Sequence, residues 1–247
     1  MTEGSIRVGI GGWTYEPWRG VFYPEGLPHK AELEYAAGYL TAIEINATYY
    51  GRQKRSSFEA WAAAVPEDFR FSLKASRYAT QRRVLADGGE SIRKFLEQGF
   101  TALGPRLGPV LWQLRAGKAF DRDDFARFLD LIPDEQDGQR LRHALEVQDE
   151  SFRDPAFLDL ARGRNMAVVF NDSVDSPCIE DQTADFSYAR LEGSAEDCPT
   201  GYDAAALDGW ARQARAWAKG GREVYIYFIS GAKVRNPAAA QSLIARL

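Results

Sequence analysis

Residues 42–50 read Ala-Ile-Glu-Ile-Asn-Ala-Thr-Tyr-Tyr, and the first five of them have the period of a β-strand. Successive side chains in a strand point to opposite faces, so Ile43 and Ile45 share one side while Ala42, Glu44 and Asn46 share the other. One side is apolar; the other carries a carboxylate and an amide. The same arrangement returns further along the chain, which points to a barrel holding ionisable groups at its open end.

Working outward, the pattern predicts strands at 6–11, 42–46, 69–74, 109–115, 141–148, 166–171, 186–191 and 223–230. Helical stretches are predicted at about 29–40, 56–65, 90–103, 121–132, 155–162, 204–219 and 238–247. Ser56 or Ser57, Asp121 and Pro155 mark helix starts, while Pro66, Gly104-Pro105, Pro133 and Gly220-Gly221 mark ends. Strands alternating with helices argue for parallel βα units, and eight of them within 247 residues fit a single (β/α)8 TIM-barrel-like domain over 1–247. The exception is the connection from Ser173 to Asp185, which has no helical period, so the crossover between strands six and seven is expected to be short or irregular.

Composition narrows the class. A hydrophobic share of 45%, a charged share of 27%, 22 Gly and 11 Pro are ordinary for a globular protein and exclude collagen-like, disordered and disulfide-scaffold classes. A net charge of -4 gives no overall basic field for nucleic acid or anionic lipid. No run approaches a membrane span and the first residues carry no signal-like apolar segment, so a cytoplasmic protein without membrane partners is expected. Cys178 and Cys198 are too few for a disulfide framework or a Cys-rich zinc site, and free thiols are expected.

Applying the alternation to each strand, the face that fills the barrel ends in Glu44 and Asn46, Ser72 and Lys74, Gln113 and Arg115, Glu146 and Gln148, Asn171, Arg190, and Tyr225 and Tyr227. A barrel interior built for stability alone is dominated by Val, Ile and Leu, and sites in this fold lie at the carboxyl ends of the strands. Burying charge costs several kcal/mol until partners offset it, so gathering Glu44, Lys74, Glu146 and Arg190 in one mouth points to chemistry. The competing reading is mutual neutralisation, Glu44 by Lys74 and Glu146 by Arg115, each pair on neighbouring strands.

In the functional reading Glu44 and Glu146 are the acid and base, because a carboxyl in a partly dry pocket can be held near neutrality. Lys74 is an oxyanion partner, a Schiff-base nucleophile or a counter-ion to Glu44, and Arg190 a planar fork for carboxylate or phosphate, with Asp172 behind it. Tyr227 donates a hydrogen bond or fills volume, and Tyr225 is assigned to packing alone. His29 and His143 are read as structural, and no metal site or cofactor is predicted; a hard cation on the oxygens of Glu44, Glu146 and Asp172 stays open.

The first loop, 11–24, holds five aromatic residues in fourteen positions. Trp13 and Tyr15, next to the strand end, are placed at the ligand, whereas Phe22 and Tyr23 are assigned to a lid with its own small core. The second and third loops carry Arg52, Lys54, Arg55, Arg77, Arg82 and Arg83, and with Tyr49 they suggest an anionic ligand, a phosphate or a nucleic acid backbone.

These motifs resemble one family, the YecE-like proteins catalogued as domain of unknown function 72. The similar segments are Gly-Gly-Trp-Thr-Tyr-Glu-Pro-Trp-Arg-Gly at 11–20 with Phe22-Tyr23-Pro24, Ile43 to Tyr50, Phe69 to Lys74, Leu111 to Leu114, Ala144 to Val147, Tyr188 to Gly193 and Val224 to Phe228. The resemblance implies a TIM-barrel-like fold and brings no established activity. The chain departs from the family pattern where Gln81 follows Thr80 in place of His, at Gln148 to Phe152 in place of Arg-His-x-Ser-Trp, and at Ile229-Ser230-Gly231 in place of Asn-Asn-Asp.

The sequence therefore leads to an expectation of acid–base chemistry on a small polar anionic molecule, such as a sugar phosphate, by hydrolysis, elimination or isomerisation. The alternatives are a protein that binds or processes nucleic acid and a non-catalytic binding module.

Overall fold

The computed structural model describes residues 4–173 and 176–247. Nine strands form one parallel sheet: β1 (Ile6–Gly11), β2 (Ala42–Ile45), β3 (Arg70–Lys74), β4 (Leu107–Gln113), β5 (His143–Glu146), β6 (Ala167–Val168), β7 (Phe170–Asn171), β8 (Phe186–Leu191) and β9 (Glu223–Phe228). Their order is β6-β5-β4-β3-β2-β1-β9-β8-β7. The two strands at the ends of that order are consecutive in sequence. β6 pairs with β5, β7 pairs with β8, and Val169 between them donates its N–H to the Leu145 carbonyl at 2.9 Å. The expected sixth strand is thus handed from one neighbour to the other, and the TIM-like barrel closes through the chain itself.

The helices are α1 (Glu32–Ala37), α2 (Ala47–Tyr50), α3 (Arg55–Ala63), α4 (Arg77–Thr80), α5 (Gly89–Leu96), α6 (Arg122–Asp130), α7 (Pro155–Gly163), α8 (Ala204–Trp217) and α9 (Asn236–Ile244). The anticipated Asp121 cap is present, its carboxylate accepting from the Asp123 and Asp124 amides. Several expected strands are shorter at the carboxyl end, since β4 stops at Gln113, β5 at Glu146 and β9 at Phe228. Residues 174 and 175 of the irregular crossover lie outside the described residues; from 176 to 185 there is neither helix nor strand. Buried Thr183 anchors this segment, accepting from the Val168 N–H at 2.9 Å and donating to the Met166 carbonyl at 2.7 Å.

The alternation sorts the apolar residues into two cores. Val8, Ile10, Ile43, Ile45, Phe71, Leu73 and Trp112 face the helices. Ala42, Leu111, Ala144, Ala167, Tyr188, Tyr225 and Tyr227 fill the barrel, alanines on some strands leaving room for tyrosines on others.

The amino-terminal end of the barrel is polar as well. Tyr225, expected to do nothing but pack, accepts a hydrogen bond from Arg142, whose guanidinium also donates to Glu223 at 2.6 Å. A phenol in a closed core needs a partner for its oxygen, and the arginine supplies it. His143 is buried in the outer core, where its Nδ1 accepts from the Trp112 indole at 3.1 Å and its Nε2 bonds the Pro133 carbonyl at 2.9 Å. Cys178 and Cys198 are both free. Among the described residues no helix is long and apolar enough to cross a membrane.

Candidate active site at the barrel mouth

The carboxyl ends of β2, β5 and β8 bring Glu44, Glu146 and Arg190 together, all three buried. Arg190 spans the two acids. Its Nη1 donates to both oxygens of Glu146, at 2.7 and 2.6 Å, and its Nε and Nη2 donate to the two oxygens of Glu44, each at 3.2 Å. Tyr188, two residues before Arg190 on the same face of β8, donates its hydroxyl to Glu44 at 2.8 Å. Against burial, which would lower it, the carboxylates of Glu146 and Glu44 hold the Arg190 pKa above its ordinary value. Burial chiefly, and the Glu44 charge next, raise the Tyr188 phenol well above its own.

Asn171, buried at the end of β7, donates to Glu146 at 3.3 Å and to Glu192 at 3.2 Å, so its amide links the buried triad to the rim. Glu192 lies 3.7 Å from Arg190 and keeps 21% of its side chain exposed. Burial raises its pKa and Glu146 adds to that, with Arg190 pulling the other way.

Lys74 ends β3 beside this triad. Its ammonium sits over the Tyr49 ring at 4.4 Å, and among the described residues it forms no ion pair. Burial first, then Arg190, lower its pKa, opposed by Glu44, Glu146 and Glu192. The pairing expected between Glu44 and Lys74 is therefore replaced by Glu44 with Arg190, and that expected between Arg115 and Glu146 by Glu146 with Arg190. Arg115 lies exposed beyond the end of β4. Adjacent strands put ends side by side, but Arg190 reaches across the interior, a geometry that strand order alone does not reveal.

The other expected site residues separate into groups. Gln113 is half-buried in register with Glu146, and Arg77 is exposed on the rim, its guanidinium 5.2 Å from the Tyr78 ring centre. Asp172 does not reach Arg190; it accepts from the Glu192 and Gly193 amides and, at 2.8 Å, from Tyr202, fixing the turn that carries Glu192. Tyr227 lies deeper, sharing a 2.7 Å hydrogen bond with Ser72 across the barrel. Asn46 has left the strand and opens α2 with helical backbone angles, close to Gly11.

Trp13 and Tyr15 belong to the side of the barrel. Trp13 packs on Trp61 and Phe71, with ring centres 5.3 and 6.4 Å away, and Tyr15 packs on Trp18 at 5.2 Å with the Lys233 ammonium 4.4 Å from its ring. The small core assigned to Phe22 and Tyr23 thus takes in all five aromatic side chains of the loop. Among the described residues no three His, Cys, Asp or Glu side chains are grouped to hold a metal, and the guanidinium of Arg190 occupies the space between the two acids.

The family model described as Protein of unknown function DUF72 matches residues 7–247. The chain belongs to this family. A DUF72 family protein of Thermotoga maritima MSB8 superposes with a TM-score of 0.77 at 23% identity, covering 97% of each chain. One from Enterococcus faecalis V583 gives 0.75 at 19% identity over 100% of each. A D-psicose 3-epimerase solved in the presence of D-fructose gives 0.50 at 14% identity, over 97% of this chain and 96% of that one, a likeness of fold alone. No curated protein matches the sequence.

Two of the positions at which the sequence departs from the expected family pattern touch the mouth. Gln81 donates its amide to the Gln113 carbonyl at 3.2 Å, and Ser230 and Gly231 take positive φ angles of 53° and 52°, a Cβ built on Gly231 falling 2.4 Å from the Glu192 carbonyl oxygen. At the third, Phe152 is buried among Phe120, Phe125 and Phe157, so this position supports the wall of the barrel. Tyr188 and Glu192 escaped the sequence reading as site residues. Both share the period-2 face of Arg190, and extending the alternation two residues each way finds them.

Proposed function

We propose that the mouth is an enzyme active site for a small polar anionic molecule, with a sugar phosphate as the model substrate, worked by proton transfer. The observation that carries this reading is the division of charge. Arg190 takes up both buried acids, while Lys74 has a ring but no described carboxylate as its partner. Three side chains bonded to one another form a rigid floor, and a cation left without an acid can meet an anion.

Glu192 and Lys74 are pushed in opposite directions, the acid up and the amine down, each toward neutrality. A carboxyl raised in this way is suited to proton transfer. Glu192 exchanges the proton, Lys74 stabilises the developing oxyanion, and Glu44, Glu146, Arg190 and Tyr188 hold the frame. The expectation that Glu44 itself handles the proton is weakened by its complete burial beneath Arg190 and Tyr188.

The test is a thermal-shift screen of sugar phosphates, because a ligand at a hundred times its Kd raises stability by about 2.7 kcal/mol. A hit abolished by Lys74→Ala and kept by Tyr227→Phe, with turnover lost in Glu192→Gln, is the expected result. Stabilisation indifferent to Lys74→Ala and Glu192→Gln rejects the reading. A second reading, contact with a nucleic acid backbone, is favoured by exposed Arg77 on the rim and exposed Arg52 on the loop after α2. It requires oligonucleotide binding that falls steeply with salt.

A further inference from the structure

A cavity of about 360 Å³ opens behind the mouth, between α2, α4 and α5. Its volume is in the range of small-ligand sites. Arg52, Arg82 and Lys94 line it, together with the Tyr78 and Phe95 rings. Phe95 is buried, whereas Tyr78 leaves 58% of its surface exposed.

The three cations are not equivalent. Arg82 is held in place, its Nε donating to the Tyr78 carbonyl at 2.5 Å and its Nη2 to Ser91 at 3.0 Å, and it forms no ion pair with a described residue. Lys94 pairs with Glu90 at 2.6 Å across one helical turn, an exposed contact of the kind worth a few tenths of a kcal/mol and readily given up to an anion. Arg52 extends from the loop after α2 without a described partner. A fixed guanidinium flanked by two exposed cations, beside an aromatic wall, matches a phosphate monoester joined to a flat ring.

The wall between this cavity and the mouth is α2, a single helical turn. Thr48 lines the cavity and donates its hydroxyl to the Lys74 carbonyl at 2.7 Å, while its neighbour Tyr49 lies under the Lys74 ammonium. From this arrangement we infer that the protein has a second ligand site, separate from the mouth, which binds the phosphate of a ring-bearing phosphate monoester through Arg82, Arg52 and Lys94. The class includes the mononucleotides.

Adenosine monophosphate is the probe, titrated calorimetrically into the full chain, with adenosine and inorganic phosphate as the two halves of the ligand. Binding of the monophosphate at least tenfold tighter than either half is expected, with at least tenfold loss in Arg82→Gln and in the doubly exposed Arg52→Gln/Lys94→Gln variant. Because the second variant changes surface side chains only, its loss of binding cannot be attributed to misfolding. Glu192→Gln and Lys74→Ala keep the affinity within threefold if the site is separate. No binding overturns the inference, as does affinity unchanged in both cavity variants, or affinity lost in Lys74→Ala and retained in Arg82→Gln. That last outcome would place the ligand in the mouth and leave the acid–base reading standing.

Discussion

Arg190 satisfies two buried carboxylates at once, so its removal has a cost unlike that of a surface arginine. Glu44 and Glu146 are 0% and 1% exposed, and without the guanidinium each keeps only a neutral donor, the Tyr188 hydroxyl or the Asn171 amide. Breaking a buried charge cluster from one side destabilises by about 3–5 kcal/mol. Arg190→Ala is expected to lower the unfolding free energy by an amount in that range, seen as a fall in the denaturant midpoint, and Arg190→Lys to recover only part, because an ammonium cannot span both acids with a fork. His143 supplies a pH-dependent counterpart. Burial lowers its pKa from 6.5 to about 4, and the neutral ring already uses both nitrogens. Between those values the unfolded chain binds more protons, so stability rises with pH there and is lost as pH falls. The shift corresponds to about 3 kcal/mol. A non-titrating His143→Gln variant should flatten the loss of unfolding free energy between pH 6.5 and 4; an unchanged slope assigns acid sensitivity to other groups. At this scale the sequence is readable where alternation operates, which is how Glu44, Glu146 and Arg190 stand out. It is silent about partners, because a long arginine on β8 reaches acids on β2 and β5 that no local pattern connects to it.

Elements were legible in kind and less so at their ends. The expected strands overrun β4, β5 and β9 by two residues each, since the mouth strands peel into loops while their residues keep an alternating pattern. α2 was missed because four residues, Ala47–Tyr50, are too few to show a period. The end of the long third loop is tied to α6 by one buried acid. Buried Asp124 accepts from the Leu85 and Ala86 amides at 3.0 and 2.9 Å and from Lys118 at 2.8 Å. Against burial, which raises it, Lys118 and the two amides keep its pKa below the usual carboxylate range. Such a group stabilises above its unfolded pKa and loses that contribution as pH falls through the folded one. Asp124→Ala leaves Lys118 buried without its acid and frees two amides. We expect about 3 kcal/mol of destabilisation together with faster hydrogen exchange at Leu85 and Ala86. Exchange unchanged at those amides means that the loop is held elsewhere.

For the whole molecule, the alternation of strands and helices carries the barrel, and two places illustrate how the backbone itself closes it. One is Val169, where the sixth strand changes neighbours. The other is Gly9 on β1, in register with Ala42 on β2. A Cβ built on Gly9 falls 1.8 Å from the Ala42 carbonyl oxygen, and no side-chain movement relieves a clash with backbone. Only separation of β1 from β2 does, and both strands belong to a closed circuit, so the displacement spreads to β9 and β3. Overpacking of this kind typically costs 1–3 kcal/mol, and with a rigid partner the upper end or beyond is expected. For a chain of this size about 3 kcal/mol corresponds to roughly 10 °C in Tm. Gly163→Ala is the matched control, since the Cβ meets nothing within 4 Å at the end of α7 and the substitution stiffens the unfolded chain. Gly9→Ala should therefore melt well below the parent protein while Gly163→Ala melts at or slightly above it. Equal melting of the two variants would show that β1 and β2 can part without opening the barrel, and that closure at Val169 alone maintains the circuit on which Glu44 and Arg190 converge.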